Sequence, residues 1–149
     1  MILRLTNYTD YSLRMLIYLG SMKGDKLASI QEIADAYQIS KNHLMKVAHE
    51  LGRKGYIETI RGRNGGLRLA HLPEDINVGT VVRSTEEDFN LVECFDKENN
   101  TCVISPACRL KHVLHNALSA YFEVLDGYQL ADLIVNEKTI IKLFATNTE

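Results

Sequence analysis

Residues 29–69 leave the chain few choices of fold. Ser29-Ile30-Gln31-Glu32 has the S-x-x-E form of a capping box, which satisfies the free amides at a helix start. Ile30, Ile33, Ala34 and Tyr37 follow at i, i+3, i+4 and i+7, the period of a short amphipathic helix. Gln38-Ile39-Ser40 forms a brief turn, and Ser40 is placed to cap the next helix. That helix buries Leu44, Val47 and Leu51, turns Lys41, Asn42, Lys46 and Arg53 outward, and stops at Gly55. Two helices across so short a turn form a helix-turn-helix. Tyr56–Ile60 then reads as a strand, Arg61-Gly62-Arg63-Asn64-Gly65-Gly66 as a glycine-rich turn, and Leu67-Arg68-Leu69 as the return strand. A hairpin in this place is the wing of a winged helix. A purely structural turn needs a glycine but has no use for two arginines.

The flanks extend this unit. Thr9-Asp10-Tyr11 starts a first helix with Leu13, Leu16 and Ile17 on one face, ending near Lys23-Gly24-Asp25. Beyond Pro73, Asn77–Arg83 reads as a short helix and Glu86-Glu87-Asp88 as a solvated acidic face. From Pro106 onward Leu110, Val113, Leu114, Ala117, Leu118, Tyr121 and Leu125 form an apolar stripe at helical spacing, interrupted by Gly127. Two shorter helical stretches follow, around Leu130–Val135 and Lys138–Phe144. The long stripe must be covered, and a second copy of the chain is the expected cover. Helix-turn-helix readers bind two half-sites about 34–36 Å apart with matching two-fold symmetry. The expected class is mainly α with a small β-hairpin: a winged helix-turn-helix DNA-binding domain plus a long dimerisation helix. The expected divisions are 1–72 for DNA binding, 73–104 for a linker helix and cysteine loop, and 105–149 for dimerisation and the C-terminal helices.

Charge supports a nucleic-acid partner only when it is divided by region. The net charge is −2, yet residues 40–70 carry Lys41, Lys46, Arg53, Lys54, Arg61, Arg63 and Arg68 against Glu50 and Glu58, a local +5 that leaves −7 for the rest. Phosphate attraction acts within a Debye length of about 8–10 Å, so the local excess decides. Ser40, Lys41, Asn42 and Lys46 lie where a recognition helix meets phosphates and base edges in the major groove. Arg61 and Arg63, with Asn64 beside them, are placed to enter an adjacent minor groove, where A·T-rich narrowing attracts guanidinium. A hydrophobic fraction of 46% and a charged fraction of 24% describe an ordinary globular chain rather than a disordered one. Met1–Asn7 lacks the apolar core of a leader, and no apolar run nears the ~20 residues of a membrane span. An odd cysteine count without an export signal points to a reducing, cytoplasmic setting.

All three cysteines lie in one stretch, as C-x7-C-x5-C: Cys94, Cys102 and Cys108. A polar loop separates the first two, which suits a ligand cradle better than thiols packed in a core. Pro106 after Ser105 reads as the first residue of a helix, a setting that activates thiols, but no motif supplies a paired base and oxyanion site for an enzyme. Structural zinc favours four ligands in short paired spacings, though His112 follows Cys108 by one turn. An iron–sulfur cluster suits three thiolates on a loop with a fourth ligand left open. Chemistry alone places the cluster only slightly ahead of zinc.

Three segments carry a resemblance. Leu5-Thr6-Asn7-Tyr8-Thr9-Asp10-Tyr11-Ser12-Leu13-Arg14, Ile39–Val47 and Arg61–Leu69 followed by Pro73-Glu74-Asp75-Ile76 are similar to the NsrR and IscR family of iron–sulfur winged-helix repressors. Glu86–Asn90, Val92–Asp96 and Cys102–Pro106 resemble the Bacillus-type NsrR branch of that family. The resemblance implies a nitric-oxide-sensing repressor, not an enzyme, acting as a homodimer on double-stranded operator DNA. It implies one [4Fe–4S] cluster per subunit on Cys94, Cys102 and Cys108, with Asp10 of the partner subunit as fourth ligand; a [2Fe–2S] cluster or zinc is the alternative. Histidine-ligated relatives carry that residue three positions past the last cysteine, where this chain has Lys111, with His112 next to it. Freed Asp10 would pair with Arg14, four residues on, which makes Asp10 and Arg14 the expected switch.

Overall fold

The computed structural model describes residues 4–147. Met1, Ile2 and Leu3, part of the stretch read above for a leader, lie outside the described residues. Three helices come first: α1 (Asn7–Ser21), α2 (Ile30–Tyr37) and α3 (Lys41–Arg53). The hairpin β1 (Ile57–Ile60) and β2 (Gly66–Leu69) follows, then α4 (Val78–Thr85), α5 (Arg109–Asp126), α6 (Leu130–Leu133) and α7 (Glu137–Asn147). Single 3₁₀ turns sit at Pro73–Asp75, Glu93–Phe95 and Ser105–Ala107.

Local signals set most of these boundaries. Thr6 caps α1 by accepting from the Thr9 amide at 3.3 Å, so the helix starts two residues before the expected Thr9. Ser29 caps α2 by accepting from Glu32 N at 3.1 Å. The turn between α2 and α3 needs a left-handed residue, and Gln38 takes it at φ 57°. Its side-chain amide offsets the strain by donating to Asp35 O at 2.8 Å. Ser40 departs from expectation. It occupies the cap position of α3, but its backbone ψ of 128° comes with no side-chain cap bond.

The strands are antiparallel, pairing Ile57 with Leu69, Glu58 with Arg68, Thr59 with Leu67 and Ile60 with Gly66. Leu67 also exchanges both backbone bonds with Ala28, at 2.7 and 3.0 Å, so the segment before α2 fastens the wing to the helices. Close approach dictates two glycines here. A Cβ on Gly66 would lie 2.9 Å from Ala28 O, and one on Gly65 would strike the Ile60 carbonyl oxygen.

The core joins Met15, Leu16 and Leu19 of α1 to Ile33 of α2, Leu44, Val47 and Leu51 of α3, and Ile57 and Leu67 of the hairpin. Ile76, Val81 of α4 and Leu130 of α6 close the same core. The C-terminal helix returns to it too: Phe144 of α7 packs its ring 4.9 Å from Tyr18 and 5.0 Å from Tyr37.

The long helix is shorter at its start than expected. Pro106 belongs to the separate turn Ser105–Ala107, and extended Cys108 (φ −78°, ψ 114°) resets the chain before α5 begins at Arg109. No residue of α5 is fully buried, and Leu110, Val113, Tyr121 and Val124 are exposed. Its C-terminal end is anchored to α4. Asn77 donates to Asp126 O at 2.9 Å, Arg83 grips the Asp126 carboxylate at 2.5 and 2.8 Å, and the Arg83 guanidinium lies 4.2 Å from the Phe122 ring centre. Those bonds from Arg83 hold the Asp126 carboxyl below the usual aspartate range. A depressed folded-state value contributes stability that is present above the unfolded value and lost as pH falls through the folded one. The α4–α5 anchor therefore loosens in acid. In Asp126→Asn that acid step is expected to vanish from the hydrogen exchange of α5 amides during a pH titration.

Candidate nucleic-acid interface and metal centre

The outer side of α3 and the hairpin tip carry the residues expected to contact DNA. Lys41, Asn42 and Lys46 are exposed on one helix whose opposite face buries Leu44, Val47 and Leu51. Arg61, Arg63 and Asn64 are exposed on the turn between β1 and β2. The structure also sorts the seven cations of this region. Arg53 is paired with Glu50 at 2.7 Å, and Arg68 with Glu58 at 2.9 Å across the hairpin. Lys54 donates to Ser84 O at 2.6 Å. Among the described residues, Lys41, Lys46, Arg61 and Arg63 make no ion pair. Four of the five charges left uncompensated, Lys41, Lys46, Arg61 and Arg63, thus lie on the recognition helix and the wing, where a phosphate backbone would meet them.

The cysteines lie on the connector between α4 and α5. Cys94 sits in the turn Glu93–Phe95, Cys102 on an exposed loop, and Cys108 at the cap position of α5. All three are free thiols. The connector leans on α5 through two ring contacts, Phe89 on Phe122 at 4.6 Å and Phe95 on His115 at 4.2 Å. Among the described residues, no three His, Cys, Asp or Glu side chains of the chain are gathered as a metal site requires. The donor chemistry nonetheless fits an iron–sulfur cluster: three reduced thiols on one connector, one ligand short of four. His112 is exposed one turn into α5.

Asp10 and Arg14 are together on α1, remote in sequence from the thiols. Arg14 Nε and Nη2 donate to the two carboxylate oxygens of Asp10 at 3.1 and 3.0 Å. Arg14 is also braced from outside its helix. Tyr37 Oη of α2 donates to Arg14 O at 2.7 Å, and the guanidinium lies 5.9 Å from the Tyr37 ring and 5.7 Å from that of Tyr11 on its own helix. Burial pushes the Tyr37 phenol well up, so it stays a donor at neutral pH. Tyr11 in turn meets His43 of α3 at 5.8 Å.

One contact corrects the sequence reading. Glu86, taken with its acidic neighbours as a solvated face, accepts from Thr6 N at 2.7 Å and Thr6 Oγ1 at 3.1 Å. Glu87 and Asp88 are exposed as expected. No spacing rule signals a bond between residues 80 positions apart.

What the fold and its charge distribution define is a winged-helix DNA-binding transcriptional regulator. The sequence matches the family described as Rrf2, iron-dependent transcriptional regulator, over residues 5–136, and the chain belongs to that family. It is 62% identical to the HTH-type transcriptional regulator NsrR of Bacillus licheniformis over 143 residues, covering 96% of this chain and all of the relative. The NsrR of Bacillus subtilis is 62% identical over 141 residues, 95% of this chain and 97% of the relative. Among solved structures, T. potens IscR superposes with a TM-score of 0.71 at 25% identity, covering 90% of this chain and 88% of that one. CymR, the global cysteine regulator of B. subtilis, superposes at 0.69 with 26% identity, covering 89% and 96%.

Proposed function

We propose that this regulator is a cytoplasmic, homodimeric repressor that responds to nitric oxide through an iron–sulfur cluster and is not an enzyme. The observation that carries the reading is the placement of three free thiols on the connector between a winged helix and a long exposed helix. In this reading residues 1–72 read DNA, 73–104 bear the metal ligands and 105–149 pair the subunits. The apolar stripe of α5 pairs with its counterpart in a second copy. Cys94, Cys102 and Cys108 of one subunit and Asp10 of the partner subunit hold one [4Fe–4S] cluster. A cluster bound there supplies the iron that nitric oxide attacks.

The chain's own part in the response is a choice of partner for Asp10. Its carboxylate is either committed to Arg14 on its own helix or offered to the other subunit. The Asp10–Arg14 pair is about two-fifths exposed on both sides, so it contributes no more than about 0.2–0.5 kcal/mol. That is too little to throw the switch alone. The larger effect is the cross-subunit tether, which fixes the spacing of two recognition helices. A coupling of ~1–3 kcal/mol corresponds to a 5–150-fold change in operator affinity.

On DNA, Ser40, Lys41, Asn42 and Lys46 meet the major groove while Arg61, Arg63 and Asn64 reach the adjacent minor groove. Arg63→Ala should weaken operator binding, flatten its salt dependence by about one unit of slope, and relax the preference for A·T-rich flanks. Unchanged affinity and flank preference would refute the minor-groove assignment. The reading as a whole is tested by purification without air followed by iron, sulfide and zinc analysis. Iron with equivalent sulfide, lost on replacing any one cysteine, supports it; zinc without sulfide makes the chain a zinc- or thiol-dependent regulator instead.

A further inference from the structure

Glu86 stands where the chain leaves the winged-helix core and enters the cysteine connector, at the C-terminal cap of α4. Its carboxylate oxygen Oε1 accepts from the Thr6 backbone amide at 2.7 Å and from the Thr6 hydroxyl at 3.1 Å. Thr6 is itself the cap of α1. A carboxylate there sits at the positive end of the helix dipole, and an ionised acceptor makes the stronger kind of hydrogen bond. The same end of α4 is held a second time. Lys54 donates to Ser84 O at 2.6 Å, and the Tyr56 and Ser84 hydroxyls are 3.3 Å apart. The root of the connector is therefore fixed to the winged helix at two points. One of them is the first turn of the helix that carries Asp10.

This arrangement gains meaning from the crossed metal site proposed above, on which the inference rests. In that site each subunit gives three thiolates to one cluster and a carboxylate to the other. The Thr6–Glu86 link then joins, inside each subunit, the thiolate half of one site to the carboxylate half of the other. Two such links close a ring through both subunits. We propose that Glu86 is a positioning residue that clamps the Asp10 turn to the root of the cysteine connector, so that the two clusters of a dimer are gained and lost as a coupled pair. The driving term is ordering. Cys102 and its neighbour Val103, 92% exposed, lie on a loop tied by its own bonds, Cys102 N to Asn100 Oδ1 at 3.0 Å and Thr101 Oγ1 to Glu93 Oε1 at 2.8 Å. Among the described residues these bonds do not gather the three thiols, so the loop must shift and be fixed in a new ordering when the first site fills. With the root clamped, that ordering also fixes Asp10 of the same subunit, and the second site costs less to assemble.

Native mass spectrometry of the full-length dimer, loaded without air with iron and sulfide to half its capacity, counts dimers holding none, one or two clusters. Independent sites leave about half of all dimers singly loaded, whereas a tenfold coupling lowers that share to about a quarter. The wild type should show about a quarter and Glu86→Ala about half. Glu86→Gln keeps an acceptor oxygen without the charge and should fall between them. Far-ultraviolet circular dichroism and the visible spectrum per iron should not change in either variant. A wild-type distribution in Glu86→Ala, or independent loading in the wild type, overturns the role of Glu86 while leaving the crossed site intact. A wild type that takes up no cluster, or an Asp10→Ala variant that loads as the wild type does, removes the crossed site and this inference together.

Discussion

Cys102→Ala binds operator DNA 5–150-fold more weakly than wild-type protein purified without air, and nitric oxide no longer changes its affinity; this is the expected result if connector thiols govern the recognition helices through a ~1–3 kcal/mol coupling. Cys102 is the most informative of the three to replace, because it is exposed and its removal leaves no cavity. Electrophoretic mobility shift or fluorescence anisotropy at fixed salt reads the affinity, and thermal unfolding checks that the fold is retained. The companion variant is Asp10→Ala. All three thiols remain, so a cluster should still be held, but with altered lability and weaker operator binding. A variant of either kind with the wild-type response to nitric oxide and wild-type affinity contradicts the proposed switch.

The second large effect is on stability and comes from Leu44. This residue is fully buried in α3, between exposed neighbours that face the DNA side. Leu44→Ala should lower the unfolding free energy by about 2–5 kcal/mol, since the removed methyl groups leave a cavity that a helix pinned between α1 and α2 closes only in part. Out of a typical total of about 5–15 kcal/mol, that is a large fraction. Urea unfolding would show it as a lower midpoint at unchanged slope. Lys46→Ala, one half-turn away on the exposed face, should leave the unfolding free energy within about 0.5 kcal/mol of wild type yet reduce the salt dependence of DNA binding. The contrast separates the two faces of the recognition helix. A loss of less than about 1 kcal/mol in Leu44→Ala would mean that the helix is not pinned as the packing indicates.

The parts of the fold legible in the sequence are those written locally. The Ser29 cap, the i, i+3, i+4 spacing of Ile30, Ile33 and Ala34, and the glycine turn between β1 and β2 each lie within a few residues of the element they specify. The outward cations of α3 followed from the same periodicity. What was not legible depends on distance in sequence or on competing local choices. Glu86 finds Thr6 only because α4 packs on α1, and Phe144 finds Tyr18 and Tyr37 only because the chain turns back after Gly127. Pro106 is a sound start signal that a single 3₁₀ turn satisfies as well as an α-helix does, and extended Cys108 then defers α5 to Arg109. Ser40 holds the cap position without the bond, because cap preference concerns the residue type while the bond depends on backbone angles. For the metal site, residue type was legible and assembly was not. Three thiols on one loop are visible in the string, but among the described residues they are not gathered as a metal site, and in the function proposed above the fourth ligand comes from a second chain.

The backbone exchange between Ala28 and Leu67 bears on how the wing reads DNA. A free-standing two-stranded ribbon is marginally stable in water, so arginines on its tip would sample many poses and lose that freedom on docking. Here a third segment stitches the ribbon to the ground from which α2 rises, and Gly65 and Gly66 allow the backbones to meet without a side chain between them. With the minor-groove contact proposed above, the tip arginines would then be held near the pose they take on DNA before it arrives. Discrimination among flanking sequences should therefore appear mainly as slower dissociation from A·T-rich sites rather than faster arrival at them, since arrival is governed by the summed charge of α3 and the wing.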